Sequence, residues 1–123
     1  MYTLDTNAVI YYAHGDEHAA WVLDPIFREH APLYVATISE IELFGFPSIN
    51  DEEMERIEHF LRAVTIIPLD SRIARIAASL RRDYRVKTLD SAIAATALMT
   101  YSSLITRNVR DFSRIPGLSI VKV

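Results

Sequence analysis

The stretch Tyr2-Thr3-Leu4-Asp5-Thr6-Asn7-Ala8-Val9-Ile10 decides the fold of this chain. Its pattern predicts a short apolar strand that passes directly into a helix, with Asp5 at the junction and Thr6 and Asn7 at the helix start. In an open α/β sheet, ligands bind at the carboxyl ends of the strands, where Asp5 lies. An Asp at this position is also a common N-cap, so Asp5 alone does not define a site.

Three further acids, Glu42, Asp90 and Asp111, follow at later predicted junctions between a strand and a helix or turn. Each has an ordinary structural interpretation: Glu42 could form a capping box with Ser39, and Asp90 could be a first-turn acid that interacts favourably with the helix dipole. Four carboxylates that converge in one place, however, repel one another unless a cation neutralises them. The recurrence therefore predicts a metal site.

The composition favours one domain over residues 1–123. The chain is 50% apolar and has no cysteine, which excludes disulfides and thiolate metal sites. The N-terminus lacks the pattern of a signal peptide. The longest mostly apolar stretch, residues 92–105, is too short to span a membrane. We therefore expect a soluble, cytoplasmic protein.

Charge is distributed unevenly along the chain. The formal net charge is −3, but residues 1–70 carry −10 and residues 71–123 carry +7. Such asymmetry indicates a basic surface that could meet a polyanion. The helix predicted after Asp70 contributes Arg72, Arg75 and Arg82, which suit either phosphate binding or a solvated helix face.

Strand and helix patterns alternate along the chain. After the first strand, we predict strands at residues 33–36, 64–67, 103–106 and 119–123, with helices capped by Asn50 and Asp70 among those between them. Pro25 should kink a helix or start a new turn. The alternation predicts an α/β fold with a central parallel sheet of four or five strands and helices on both faces.

Oxygen ligands without cysteine or a convincing histidine cluster favour Mg²⁺ or Mn²⁺. Two such ions can activate water and stabilise the leaving oxygen of a phosphoryl displacement, which is nuclease chemistry. A phosphatase-like hydrolase with Asp5 as its nucleophile is an alternative, although Asn7 stands where a second Asp is expected. A non-catalytic module that binds RNA or protein is a third hypothesis.

With these residues assembled, the chain resembles the PIN-domain ribonucleases, and most closely the VapC-type toxins of toxin–antitoxin pairs. The resemblance extends over nearly the whole chain. Four segments carry it: Leu4-Asp5-Thr6-Asn7, Glu42-Leu43-Phe44-Gly45, Asp90-Ser91-Ala92-Ile93-Ala94-Ala95-Thr96-Ala97, and Leu104-Ile105-Thr106-Arg107-Asn108 leading to Asp111-Phe112.

The resemblance implies a Mg²⁺- or Mn²⁺-dependent endoribonuclease. Asp5 and Asp90 would be the principal metal ligands, and Glu42 would complete the site or orient water. Thr6 and Thr106 would hold the acids by hydrogen bonds, with Asn7 and Asn108 in supporting positions. The fourth acidic position departs from part of the family, because Asn108 stands where many members carry Asp. We assign Asp111, three residues later, to that position.

The resemblance also implies partners. These are an RNA substrate, a small antitoxin that covers the toxin's groove, and a second copy of the chain. From charge, we expect RNA phosphates to contact Arg107, Arg110 and the helix face from Arg72 to Arg85, which includes Arg75 and Arg82. Apolar surface between residues 21 and 60 could serve as the dimer face or the antitoxin groove. The sequence does not distinguish these two roles.

Overall fold

A computed structural model describes residues 1–123. Five parallel strands form one sheet in the order β3-β2-β1-β4-β5, with β1 in the centre. The strands are β1 (Tyr2–Leu4), β2 (Leu33–Ala36), β3 (Thr65–Ile67), β4 (Ser103–Thr106) and β5 (Ile120–Lys122). This architecture confirms the predicted fold class. The chain leaves β1 on one side for β2 and later returns on the other side as β4, so β1 and β4 flank a topological switch point.

Seven helices connect the strands and cover the sheet. They are α1 (Thr6–Ala13), α2 (Glu17–Arg28), α3 (Thr37–Phe44), α4 (Asp51–Leu61), α5 (Ser71–Tyr84), α6 (Thr88–Met99) and α7 (Val109–Phe112). No helix is both long enough and apolar enough to cross a membrane.

The core is split into two clusters because parallel strands bury both of their faces. On one face, helices α1, α2 and α4 pack against Leu4, Val35 and Ile105. On the other face, α5 and α6 pack against Leu104 and Ala36. Helix α6 is buried almost all round, as its Ala-rich sequence predicts.

Most predicted boundaries agree with the structure, and the caps show why. Asn50 accepts a hydrogen bond from the Glu53 N–H at 2.8 Å, and Asp70 accepts one from the Ile73 N–H at 2.9 Å. Side chains at these positions satisfy backbone donors that a helix start leaves free.

Pro25 was expected to kink a helix or start a new turn, and it starts no new element. It lies within α2, which continues to Arg28. Leu23 and Ile26, on either side of the proline, are buried in the core. Apolar packing of this kind offsets the lost backbone hydrogen bond.

Candidate metal centre

Asp5 lies at the carboxyl end of the central strand and is buried, with 6% of its surface exposed. Its Oδ1 accepts the Thr6 backbone N–H at 2.8 Å, and its Oδ2 accepts the Thr106 hydroxyl at 2.8 Å. Asp5 is therefore the N-cap of α1, which was one of the two roles expected from the sequence. It is also fixed in place by Thr106 of the neighbouring strand β4. Two short hydrogen bonds hold one carboxylate in a single orientation.

Burial raises the pKa of Asp5 because it removes water from the charged form, and the Glu42 carboxylate adds to the rise. The hydrogen bonds from Thr106 and Thr6 act in the opposite direction. Asp5 is thus a buried carboxylate whose negative charge is only partly compensated by the protein.

Asp90 lies in the first turn of α6, and three other acids act on it. The pKa of Asp90 is raised to about 6, mainly by burial and then by the charges of Asp5, Asp111 and Glu42 in that order, whereas Lys87 lowers it. The other three acids predicted from the sequence therefore lie within electrostatic range of Asp90.

The prediction that Asp90 follows a strand is wrong. The element before Asp90 is helix α5, and residues 85–87 connect α5 directly to α6. Asp90 reaches the carboxyl end of the sheet because α6 begins there and packs on β1, β2 and β4.

Glu42 lies in the second half of α3, with its side chain exposed. The capping-box interpretation of Glu42 is wrong, since α3 begins at Thr37 and Ser39 is already inside the helix. Gly45 is the C-cap of α3, and the position requires glycine because a β-carbon there would collide with the Ile41 carbonyl oxygen. Glu42 therefore belongs to the last full turn before the chain leaves the helix.

Asn108 and Asp111, the two candidates for the fourth position, contact each other. The Asn108 Nδ2 donates to Asp111 Oδ2 at 3.0 Å, and this bond is the main reason that the pKa of Asp111 is lowered. The Asn108 backbone N–H in turn donates to the Thr106 hydroxyl at 3.0 Å. A continuous chain of hydrogen bonds thus connects Asp111 to Asp5 through Asn108 and Thr106.

The predicted arginines differ in their surroundings. Arg107 is engaged within the protein: it pairs with Asp16 at 2.9 Å, donates from Nε to the Val123 carbonyl at 2.9 Å, and lies 3.9 Å over the Tyr11 ring. Four other arginines are exposed, and they line neither of the two small cavities beside the acids: Arg72, Arg75, Arg82 and Arg110. The cations that do line a cavity with Asp90 and Asp111 are Arg85, which the predicted arginine face included, and two that sequence reasoning missed: Lys87 and Arg114.

The residues present fit a divalent cation. No three acidic or histidine side chains lie close enough together to hold an ion between them. Mg²⁺, however, commonly takes one or two protein carboxylates and completes its shell with water and phosphate oxygens. The Thr6 hydroxyl beside Asp5 is buried and has no hydrogen-bond partner, and so is that of Ser39, one turn before Glu42. An unpartnered buried hydroxyl beside the Asp5 carboxylate suits a site completed by a hydrated ion.

Fold and site together define an α/β protein with a carboxylate cluster at the switch point of a five-stranded parallel sheet. The family model described as PIN domain matches residues 2–118, and this chain belongs to that family. The resemblance inferred from sequence motifs is thus confirmed.

Two ribonucleases are similar to this chain over almost its whole length. Ribonuclease VapC19 of Mycobacterium tuberculosis is 29% identical over 96% of this chain and 97% of its own length. Ribonuclease VapC1 of Rickettsia felis is 30% identical over 98% of this chain and 94% of its own.

Among solved structures, a toxin–antitoxin complex from Klebsiella pneumoniae includes a chain with 30% identity and a TM-score of 0.81, covering 98% of this chain and 96% of that one. A chain of VapBC2 from Rickettsia felis, bound to promoter DNA, superposes with a TM-score of 0.85 over 99% of this chain and 98% of that one. At 21% identity, the second likeness shows the fold alone.

Proposed function

We propose that this protein is a metal-dependent endoribonuclease and the toxin of a toxin–antitoxin pair. The observation that carries the proposal is that Asp5, Glu42 and Asp111 lie within electrostatic range of Asp90, near the buried Asp5 at the carboxyl end of the central strand. Membership of the PIN-domain family and relatives named ribonucleases support it. We further propose that residues 1–123 act as one nuclease domain in the cytoplasm, where RNA is available.

In this proposal Asp5 and Asp90 hold Mg²⁺ or Mn²⁺, Glu42 completes the site or orients water, and Asp111 is the fourth acid. The bound ion supplies an activated water and a positive charge that stabilises the oxygen leaving phosphorus. Thr106 and the Thr6 N–H keep the Asp5 carboxylate in one orientation.

The surroundings of the proposed ligands orient them and keep them charged. Asn108 holds Asp111 at 3.0 Å and keeps it ionised, since the hydrogen bond favours the charged form. The buried position of Asp5 limits competing water around its carboxylate. Such pre-orientation raises the affinity of a weak oxygen site for its ion.

The test is cleavage of RNA by the purified chain with Mg²⁺ or Mn²⁺ and with EDTA. Asp5→Asn and Asp90→Asn should each reduce the rate roughly a hundredfold or more, because a metal ligand is lost. Asp51→Asn, at an exposed acid on α4, is the matched control and should cleave like the wild type. Equal cleavage by Asp5→Asn would refute the metal-site mechanism, and RNA binding without cleavage under any metal would favour the non-catalytic module.

We propose that the antitoxin occupies a groove of about 620 Å³ between α1, α2 and α4. The aromatic rings of Tyr12, Phe27 and Phe60 form its floor, with centroid separations of 5.5–5.8 Å. The Klebsiella pneumoniae structure with 30% identity is itself a toxin–antitoxin complex, which supports a protein partner.

Co-purification with the product of a short neighbouring reading frame tests the antitoxin proposal. Ala63→Arg places a long side chain in the groove and should abolish the complex, whereas Ala74→Arg, on the exposed face of α5, should preserve it. A complex that survives Ala63→Arg would place the antitoxin elsewhere.

We also propose a homodimer that uses the exposed apolar side chains around α3. Ile41 is 72% exposed, Phe46 48% and Leu69 40%, and the Leu69 N–H is tied to Thr37 at the start of α3. Exposed apolar groups of this size are common at interfaces. Ile41→Glu should convert a dimer to a monomer in light scattering, and an unchanged mass would exclude this face.

A further inference from the structure

A small cavity of about 150 Å³ opens beside Asp90 and Asp111, at the turn between α5 and α6. Three of its six lining residues are cations, and a fourth, Val86, is apolar. The lining is Arg85, Val86, Lys87, Asp90, Asp111 and Arg114.

The backbone presents these cations in a defined way. Arg85 ends α5 in the left-handed conformation, with φ of 56°, and its N–H bonds to the Arg81 carbonyl. Val86, the next residue, is buried with 6% exposure, and Lys87 is exposed again. The buried valine anchors the turn, so the two flanking cations are fixed in position at their backbone.

Most of the positive charge at the cavity is not paired with an acidic side chain. Neither Arg85 nor Lys87 has an acidic partner within salt-bridge distance. Arg114 makes one long contact, 3.9 Å from its Nη2 to Asp111 Oδ1, and its side chain is 52% exposed. These cations contrast with Arg107, whose guanidinium is already held by Asp16 and a backbone carbonyl.

We propose that Arg85, Lys87 and Arg114 bind the RNA phosphate next to the one that is cut; this inference rests on the proposed function. Three cations exceed the two carboxylates of the cavity by one charge, which gives the lining a positive balance. Guanidinium groups match the geometry of phosphate oxygens and stay charged at any physiological pH. A phosphate held here lies beside Asp90 and Asp111, so it positions the strand against the acid cluster.

The experiment measures RNA binding rather than cleavage. The full chain carries Asp5→Asn to suppress hydrolysis, and its affinity for a short fluorescent single-stranded RNA is measured over a KCl series at fixed Mg²⁺. Adding Arg85→Gln and Arg114→Gln should weaken binding roughly tenfold at low salt. It should also reduce the slope of log Kd against log[KCl] by up to about 0.7, since one neutralised phosphate on a single strand contributes about 0.7.

Arg28→Gln with Arg62→Gln is the matched control, because it removes the same charge from exposed positions outside this cavity. Its slope should equal that of the Asp5→Asn parent. If the Arg85 and Arg114 variant behaves like this control, the cavity is not a phosphate site. Should that variant melt below the assay temperature, Lys87→Gln decides: it should weaken binding at low salt and reduce the slope by less than about 0.7. Unchanged binding and slope in Lys87→Gln would exclude the phosphate site.

Failure of this inference is distinguishable from failure of the proposed function. Wild-type protein that cleaves RNA, combined with an unchanged salt slope in the variant, refutes the subsite and leaves the nuclease. The predicted slope change in a protein that cuts no RNA under Mg²⁺ or Mn²⁺ refutes the nuclease and leaves a cationic RNA-binding site.

Discussion

The Thr106 hydroxyl donates to Asp5 Oδ2 at 2.8 Å, although 101 positions separate the two residues along the chain. The bond is possible because β1 and β4 are neighbouring strands. Leu4 lies opposite Ile105, so the residues that follow them, Asp5 and Thr106, lie at the same edge of the sheet. A buried hydrogen bond of this kind fixes the carboxylate that we assign to the metal.

Thr106→Val should therefore lower the apparent Mg²⁺ affinity roughly tenfold to a hundredfold, as loss of a supporting hydrogen bond does in other metal sites. RNA cleavage measured against Mg²⁺ concentration gives the value. Thr106→Ser keeps the hydroxyl and should stay near the wild type. A Thr106→Val protein with an unchanged Mg²⁺ dependence would show that the bond only stabilises the fold.

Asp90 should make the metal-free protein more stable in mild acid than at neutral pH. Its pKa is raised to about 6 in the folded protein, against about 3.9 when unfolded, so its stabilising contribution is complete below pH 4 and is lost as pH rises through 6. Because Asp90 is about half exposed, solvent screening reduces the effect at pH 7.5 to about 1 kcal/mol.

Asp90→Asn should accordingly raise the Tm in EDTA by about 4 °C at pH 7.5 and by much less at pH 4.5. Thermal melting of both proteins across this pH range provides the measurement. A Tm difference that does not change with pH would mean that Asp90 carries no raised pKa.

Divalent metal should stabilise the wild-type protein by relieving repulsion among the acids. At a Mg²⁺ or Mn²⁺ concentration ten times Kd, the gain is about 1.4 kcal/mol, which is a Tm shift of several degrees. Asp51→Asn should show the same shift, whereas Asp5→Asn should show little. An equal shift in Asp5→Asn would indicate that the ions bind elsewhere.

Asp16→Asn should lower stability at neutral pH because it removes the charge that holds Arg107. The Arg107 hydrogen bond lowers the pKa of Asp16, so the stabilisation is present above about pH 4 and is lost as pH falls through the lowered value. An Asn side chain at position 16 can still accept the Ala19 N–H and cap α2, so the substitution tests the loss of the charge alone.

Urea unfolding at neutral pH and below pH 3 measures this contribution. We expect the difference between wild type and Asp16→Asn to shrink in acid. A constant difference for Asp16→Asn would show that the ion pair does not stabilise the fold.

Local signals predicted much of the fold. Strand β2 was predicted with its observed bounds, Leu33–Ala36, because Pro32 and β-favouring residues mark it. Helix α7 was not predicted, since Val109–Phe112 is a single turn stabilised by burial of Phe112. The path of α2 through Pro25 also depended on core contacts that sequence periodicity does not reveal.

The acids were predictable, whereas the cations beside them were predicted only in part, since the expected arginine face included Arg85 but not Lys87 or Arg114. A carboxylate at the end of a strand or the start of a helix can be located from the element boundary alone, as for Asp5. Arg85 and Arg114 lie near Asp90 and Asp111 only through the turn geometry and the position of α7, which no local pattern specifies. Arg107 was assigned to RNA from its charge, but Asp16 and Tyr11 engage it.

The central position of β1 has a consequence for synthesis on the ribosome. Strand β1 emerges before its neighbour β4 and the acid of α7, because Asp5 precedes Thr106 by 101 positions. A nascent chain therefore carries Asp5 without the partners that complete its surroundings. The site that we propose stays incomplete until β4 and α7 have been made.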